Sequence, residues 1–374
     1  MILFLFLWAV AGLALEAEVE LGWSGRPVLD AVNPLWLTLA NPGPDLVSGE
    51  LWVQGEIGSP WRGIATYTAV VPFSLGPFSR MRFLLPWPIR VGSYFLHVSA
   101  HVGGAKVLEK RVEFVPEGTL RAGIGPPKEP VDVVLTELPA DPLLLSPFSE
   151  IHPFTSLHKA EEDVLWAWKV FLAGEVRVEA EQALAGLAEI RPPAPEWRAL
   201  APGLSLYLLG LGLVLPGLSR GRSGVFLVFL LAFLGFSLFY VVLRESLPQD
   251  YRAEISVFSP SFTSFCLESL GIVAWRKEMV RLPGFWVEAL PPREWEGRDV
   301  VWRFVDGQWY TELYLSPSSP RLLWRIVRKE MVVEGERAAP PSWAVQGFIL
   351  PWERATVVRV PSELSGEAYF VLLP

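Results

Sequence analysis

Cysteine and runs of basic residues are scarce in this chain of 374 residues. Cys266 is the single cysteine, so an intrachain disulfide and a cysteine-ligated zinc site are both excluded. The 32 Lys and Arg residues are scattered and the net charge is −8, so we expect no nucleic-acid partner. Only 19% of residues are charged and 51% are hydrophobic, which excludes a disordered chain and favours a membrane protein.

Three apolar runs predict segments that enter a membrane. Residues 1–17 predict a signal peptide, because the run Ile2–Leu15 is short for a span but fits the apolar core of a signal. Residues 199–218 and 224–243 are uncharged and each long enough to cross about 30 Å of hydrocarbon. The link 219–223 carries two arginines and is predicted to be cytoplasmic. The sequence therefore predicts two spans in the cytoplasmic (inner) membrane, with both large parts extracytoplasmic.

The two predicted spans share a seven-residue spacing. Glycines recur at this spacing in the first span and aromatic residues in the second. In an antiparallel hairpin the small residues would face the large rings, which lets the backbones approach. The alternative is that Gly and Phe, both common in membrane helices, share the spacing by chance. The predicted pairs are Gly217 with Phe226, Gly210 with Phe233, and Gly203 with Tyr240.

Strand-like segments dominate the rest of the chain. Residues 18–118 hold short runs of β-branched and aromatic residues separated by turns, which predicts an immunoglobulin-like β-sandwich domain. Residues 119–130 predict a linker, and 131–195, where strand, helix and strand alternate, predict a small α/β unit. Residues 244–374 predict an extracytoplasmic β-rich domain. The expected fold class is a multi-domain membrane protein with these parts joined by a two-helix transmembrane hairpin.

Three segments of the α/β unit resemble an amidotransferase-like (flavodoxin-like) domain: Leu135–Pro139, Asp163–Trp168 and Ala173–Val178. The early segments Leu21–Trp23 and Leu37–Gly43 are similar to the β-sandwich that precedes such a domain in uncharacterised bacterial envelope proteins, where membrane helices follow. The resemblance implies the same order of parts here. Catalytic amidotransferases need a nucleophilic cysteine at a strand-to-helix elbow, and this unit has no cysteine. The resemblance therefore implies a degenerate, non-catalytic unit.

One polar cluster lies at a predicted strand end and helix start, where α/β proteins place their sites. Its members are Glu150, His152, His158, Glu161 and Glu162. A metal or acid–base site is one interpretation. An acidic helix N-terminus beside a solvated loop is the other, and the sequence favours it because no nucleophile motif accompanies the cluster. No catalytic residue, cofactor or metal ligand is predicted.

Tryptophan is the most unusual residue count, with 17 in the chain. Most are expected in β-cores or at an interface, since the indole ring is large and amphipathic. Trp295, which lies among Pro and Glu residues, is the candidate exposed aromatic side chain.

These features predict a non-enzymatic, membrane-anchored envelope protein that acts as a scaffold or partner-binding subunit on the outer face of the cytoplasmic membrane. The expected partners are the lipid bilayer and an envelope or membrane protein. Two alternatives stay open. One is an envelope carbohydrate or peptide hydrolase that uses the Glu150–Glu162 cluster, and the other is an accessory subunit of an exporter.

Overall fold

Seven β-strands form the N-terminal part of the protein. The computed structural model describes residues 15–59, 63–174, 176–191, 205, 207, 209, 230, 233–237, 250–259, 262–289, 297–317, 319–329 and 335–373. Alternate leucines of the second strand are buried, as expected for a strand with one face on a core. The strands are β1 (Glu16–Leu21), β2 (Ala31–Ala40), β3 (Val47–Ser59), β4 (Gly63–Leu75), β5 (Arg80–Ile89), β6 (Phe95–Val102) and β7 (Ala105–Glu113).

A small α/β unit follows. Its elements are β8 (Leu120–Ile124), β9 (Val133–Leu135), a 3₁₀ turn (Pro142–Leu145), β10 (Phe148–Pro153), α1 (Lys159–Phe171), β11 (Arg177–Val178) and α2 (Ala180–Ala188). β8, β9 and β10 form a parallel sheet in the order β10-β8-β9. β8 is thus the central strand of this sheet, although the sequence predicts a linker over residues 119–130. Its five residues are too short a run to distinguish from a linker by pattern.

The C-terminal part is again mostly β-strand. Its elements are β12 (Asp250–Ser259), β13 (Phe262–Ala274), β14 (Glu278–Pro283), β15 (Val287–Glu288), β16 (Val300–Val305), β17 (Gln308–Leu315), β18 (Pro320–Arg328), β19 (Glu336–Arg337), α3 (Ser342–Gly347), β20 (Phe348–Ile349), β21 (Thr356–Ser362) and β22 (Gly366–Leu372).

Two seven-stranded sheets organise the fold. One has the order β15-β18-β13-β12-β22-β21-β19 and contains only C-terminal strands. The other has the order β14-β17-β16-β4-β3-β6-β7 and combines both ends of the chain. In it β16 runs parallel to β4, with Val300 opposite Tyr67 and Arg303 opposite Val70. The N-terminal strands therefore do not form a separate module, because their sheet continues into C-terminal strands.

Two hydrophobic cores lie between these layers. The first joins the three-stranded sheet β1-β2-β5 to the mixed sheet and contains buried Trp87 and Trp302, whose rings are 5.8 Å apart. The second joins the α/β unit to the C-terminal sheet. Gly271 of β13 lies close to Leu187 of α2 and Trp343 of α3 in this second core. The α/β unit is thus fixed against the C-terminal sheet.

The predicted fold class and the membrane-based location are wrong. Within the part of the chain that the structure describes, β-strands dominate, only four short helices have defined bounds, and no helix is long and apolar enough to cross a membrane. This finding contradicts the transmembrane hairpin and the placement of two spans in the cytoplasmic membrane with both large parts extracytoplasmic. Two extensive hydrophobic cores bury many of the apolar residues, which accounts for part of the apolar composition.

Much of the sequence behind the hairpin prediction lies outside the described residues. This applies to nearly all of 199–218 and 224–243, to the link 219–223, and to residues 1–14 of the predicted signal. Of the six residues in the predicted helix pairs only Phe233 is described, and it is helical and 69% exposed. The Tyr207 ring lies so close to the backbone of Gly235 that any side chain at position 235 would clash with this ring. The predicted pairing itself stays a prediction.

Candidate functional site

A groove of about 660 Å³ lies between β10 and the last two turns of α1. β10 supplies Glu150, Ile151 and His152 to its lining, and α1 supplies Trp168 and Lys169. β10 is the end strand of the parallel sheet, so among the described strands it pairs only with β8. The groove therefore runs beside a sheet edge, where backbone groups are available to a partner strand.

Two cationic side chains line the α1 side of the groove. Lys169 lies in the last turn of α1, where a cation interacts favourably with the helix dipole, and Arg177 begins β11. Both side chains are exposed, and neither forms an ion pair with a described residue. The Lys169 ammonium lies 5.2 Å from the ring centroid of Trp166. These two charges are thus available to an anionic group in the groove.

Trp168 is the buried aromatic residue of the groove. It is only 7% exposed, and its indole N–H has no hydrogen-bond partner within the described structure. A buried donor without a partner is costly, and such groups are uncommon in folded proteins. Because the N–H itself is shielded, Trp168 contributes an apolar wall to the groove.

The structure brings two residues of the predicted polar cluster together. The His152 ring lies in the groove, with Nε2 3.4 Å from a Glu150 carboxylate oxygen and Nδ1 3.5 Å from a Glu129 carboxylate oxygen. All three side chains are exposed to solvent. This side of the groove therefore places two carboxylates beside one imidazole ring.

The other cluster members lie at the N-terminus of α1. A Glu161 carboxylate oxygen accepts a hydrogen bond of 2.9 Å from the backbone N–H of His158, which immediately precedes the helix. Glu162 is exposed in the first helical turn. These contacts satisfy backbone donors at the helix start, which is the ordinary role of such residues. Glu161 and His158 are therefore not part of the groove.

Sequence reasoning missed three residues that line the groove, Trp168, Lys169 and Arg177, and also Glu129, which lies beside His152. Their sequence context gives no motif, because a cation at a helix end and a tryptophan on an apolar helix face are common structural features.

Trp295 lies outside the described residues. Cys266 is buried, and burial raises the pKa of its thiol. In the described portion no group of three or more His, Cys, Asp or Glu residues could hold a metal ion.

Comparison with known proteins adds little to this description. No protein-family profile matches the sequence, and no curated protein sequence is significantly similar to it. One partly similar structure is the Pseudomonas fluorescens alkylpurine DNA glycosylase AlkC bound to DNA containing an abasic site analog, with 18% identity, a TM-score of 0.21, and coverage of 29% of this chain and 33% of the glycosylase. Another is R. palustris CsgH, with 12% identity, a TM-score of 0.18, and coverage of 26% of this chain and 91% of CsgH. At these TM-scores neither similarity supports a conclusion about fold or function.

Proposed function

We propose that this protein is a non-enzymatic, partner-binding protein whose groove beside β10 receives an extended, acidic segment of another protein. The observation that carries the proposal is that Lys169 and Arg177, both without ion pairs among the described residues, line one groove beside β10, which pairs on one side only among the described strands. Both cations favour a negatively charged hydrogen-bond acceptor. That the partner is an envelope or membrane protein stays a prediction from sequence.

The backbone of β10 supports an extended partner. The N–H of Phe154 donates to the carbonyl oxygen of Ile124 in β8. Backbone groups alternate in direction along a strand, so those of Ile151 point away from β8, towards the free edge. A peptide added along this edge would gain main-chain hydrogen bonds, as in other complexes formed by strand addition.

The distribution of charge gives the orientation of the partner. Acidic side chains of the added strand would lie towards Lys169 and Arg177, because Glu150 and Glu129 on the opposite side would repel them. The protein as a whole carries a net charge of −8, so attraction of an acidic segment depends on these local cations. Binding is therefore expected to weaken as the salt concentration rises.

The proposal is tested with two labelled peptides, acetyl-(Val-Glu)₃-amide and acetyl-(Val-Lys)₃-amide, whose binding is measured by fluorescence anisotropy. We expect the glutamate peptide to bind at least about tenfold more tightly, which corresponds to about 1.4 kcal/mol. Arg177→Glu and Lys169→Glu should each abolish this preference. Arg80→Glu is the matched control, since Arg80 is exposed on β5, away from the groove. Equal binding of the two peptides, or equal effects of Arg177→Glu and Arg80→Glu, would refute the proposal.

A second candidate function is hydrolysis of a carbohydrate or peptide at the same groove. The observation in its favour is His152, which lies within 3.5 Å of two carboxylates and has the residue type of a general base. Two variants test this candidate. His152→Gln removes the candidate base in the groove, and Glu161→Gln changes the cluster residue at the N-terminus of α1. A hydrolase that uses His152 would lose turnover of chromogenic glycosides or peptides in the first variant only. Absence of turnover in the unaltered protein would remove this candidate.

A further inference from the structure

A second cavity lies at the other end of α1 and is independent of the groove. Its volume is about 560 Å³, which is within the range of small-molecule sites. The first two turns of α1, the segment before the 3₁₀ turn, and the ends of β13 and β18 enclose it. Its apolar walls include Leu138, Val164, Phe265 and Ile326.

Asp141 places a carboxylate in this apolar cavity. Its Oδ1 accepts a hydrogen bond of 2.9 Å from the backbone N–H of Leu143, and no hydrogen bond or ion pair from a described residue reaches Oδ2. Burial raises the pKa of Asp141 to about 6, and the Leu143 N–H offsets only part of this effect. A desolvated carboxylate with a free oxygen is stabilised by any cation that enters the cavity.

Arg328 supplies the opposite charge at the edge of the same cavity. The side chain is exposed, and its guanidinium carbon lies 5.1 Å from the ring centroid of Phe265. It forms no ion pair with any residue that the structure describes. The other acidic residue of the lining, Glu161, is engaged by the backbone N–H of His158. One anion and one cation therefore remain available across an apolar space.

We propose that this cavity binds a zwitterionic ligand with an apolar side chain, such as an aliphatic α-amino acid. The ligand's ammonium group would contact Asp141, its carboxylate would contact Arg328, and its side chain would lie against Phe265 and Ile326. Arginine is well suited to a carboxylate because its planar guanidinium can donate two parallel hydrogen bonds. The half-buried Asp141 carboxylate favours a donor group on the ligand, which gives selectivity for the free amine.

The test uses isothermal titration calorimetry with three probes: L-leucine, leucinamide and N-acetyl-leucine. Leucinamide keeps the ammonium group and N-acetyl-leucine keeps the carboxylate. We expect leucine to bind at least about tenfold more tightly than either analogue, because each analogue loses one charged contact. Leucine affinity should also rise as the pH increases from 5 to 7, since Asp141 becomes ionised over this interval.

Three variants test the two proposed charged contacts and provide a control. Asp141→Asn retains an acceptor for the Leu143 N–H but removes the charge, and it should lower leucine affinity at least tenfold and abolish the pH dependence. Its matched control is Asp306→Asn in the exposed turn between β16 and β17, which should change neither. Arg328→Gln, at an exposed position, should weaken leucine but not leucinamide. No binding of leucine at millimolar concentration, equal binding of N-acetyl-leucine, or unchanged affinity in Asp141→Asn would each overturn the proposal.

Discussion

Glu288 lies at the centre of a buried ion cluster, and its replacement by Gln is the sharpest test of how the C-terminal part is held together. The residue belongs to β15 and is 0% exposed. Its Oε1 accepts a hydrogen bond of 2.7 Å from Nη1 of Arg298 and lies 3.0 Å from Nε of Arg321. Both arginines are also buried, at 5% and 1% exposed. One carboxylate thus neutralises two guanidinium groups away from water.

Loss of this charge leaves two buried cations without the carboxylate that they share, and among the described residues only Arg321 keeps a favourable interaction with a second acid, Asp299. Burial already lowers the pKa of Arg321, which shows that its charged form is disfavoured at this position. Breaking a buried pair by removal of one partner costs about 3–5 kcal/mol. Gln keeps the volume of Glu and one acceptor oxygen, so we expect Glu288→Gln to lower the free energy of unfolding by about 3 kcal/mol. Glu288→Ala should cost about 5 kcal/mol, because it also leaves a cavity.

The assay is equilibrium unfolding in urea at pH 7, followed by tryptophan fluorescence and far-UV circular dichroism. The matched control is Glu336→Gln, because Glu336 pairs with Arg359 at 3.4 Å on the surface. Exposed pairs contribute at most about 1 kcal/mol, so the control should remain close to the unaltered protein. A cost below about 1 kcal/mol for Glu288→Gln, or a cost equal to that of the control, would refute the reasoning.

Two further predictions concern stability. Burial raises the pKa of Asp141 from 3.8 to about 6, so between these pH values the folded protein binds a proton that the unfolded chain has released. The free energy of unfolding should therefore fall by up to about 3 kcal/mol as the pH rises from about 4 to about 6. In Asp141→Asn the urea midpoint should no longer fall over this pH interval. Gly271→Ala should lower the free energy of unfolding by about 1–3 kcal/mol, because its Cβ would lie 2.8 Å from Leu187 and 2.9 Å from Trp343 in a close-packed core. A thermal unfolding midpoint equal to that of the unaltered protein would contradict this second prediction.

Local sequence patterns predicted local structure well. The turn of the hairpin β6–β7 is encoded locally by Gly103 and Gly104, both of which have positive φ, as a two-residue turn of this kind requires. The helix expected within residues 131–195 corresponds to α1, whose apolar face and acidic first turn are both encoded locally. The parallel pairing of β4 with β16 was not predictable, since it joins strands more than 200 residues apart and no local pattern specifies such a register. The two-span assignment rested on the uncharged runs 199–218 and 224–243, and it is contradicted because no helix among the described residues is long and apolar enough to cross a membrane.

The candidate site was predicted in part. Glu150 and His152 line the groove, as their position at a strand end indicated. Glu161 was placed in the same cluster because it is near in sequence, but its carboxylate caps the helix instead. Lys169 and Arg177 were missed because no local pattern marks them. Their relevance comes from their position in the groove without an ion pair to a described residue, which only the three-dimensional arrangement reveals.

Helix α1 contributes to both proposed sites, which raises the question of whether occupation of one affects the other. Its first two turns line the cavity through Val164, and its last two turns line the groove through Trp168. Val170 and Phe171 are buried in the core beside the C-terminal sheet and hold the helix in place. We therefore expect independent sites: saturating leucine should change the affinity of the glutamate peptide by less than about twofold, and Arg177→Glu should leave leucine affinity unchanged. Coupling between sites is reciprocal, so the converse titration must give the same factor. A reciprocal change of about threefold or more would show instead that α1 moves as a rigid element between the two sites.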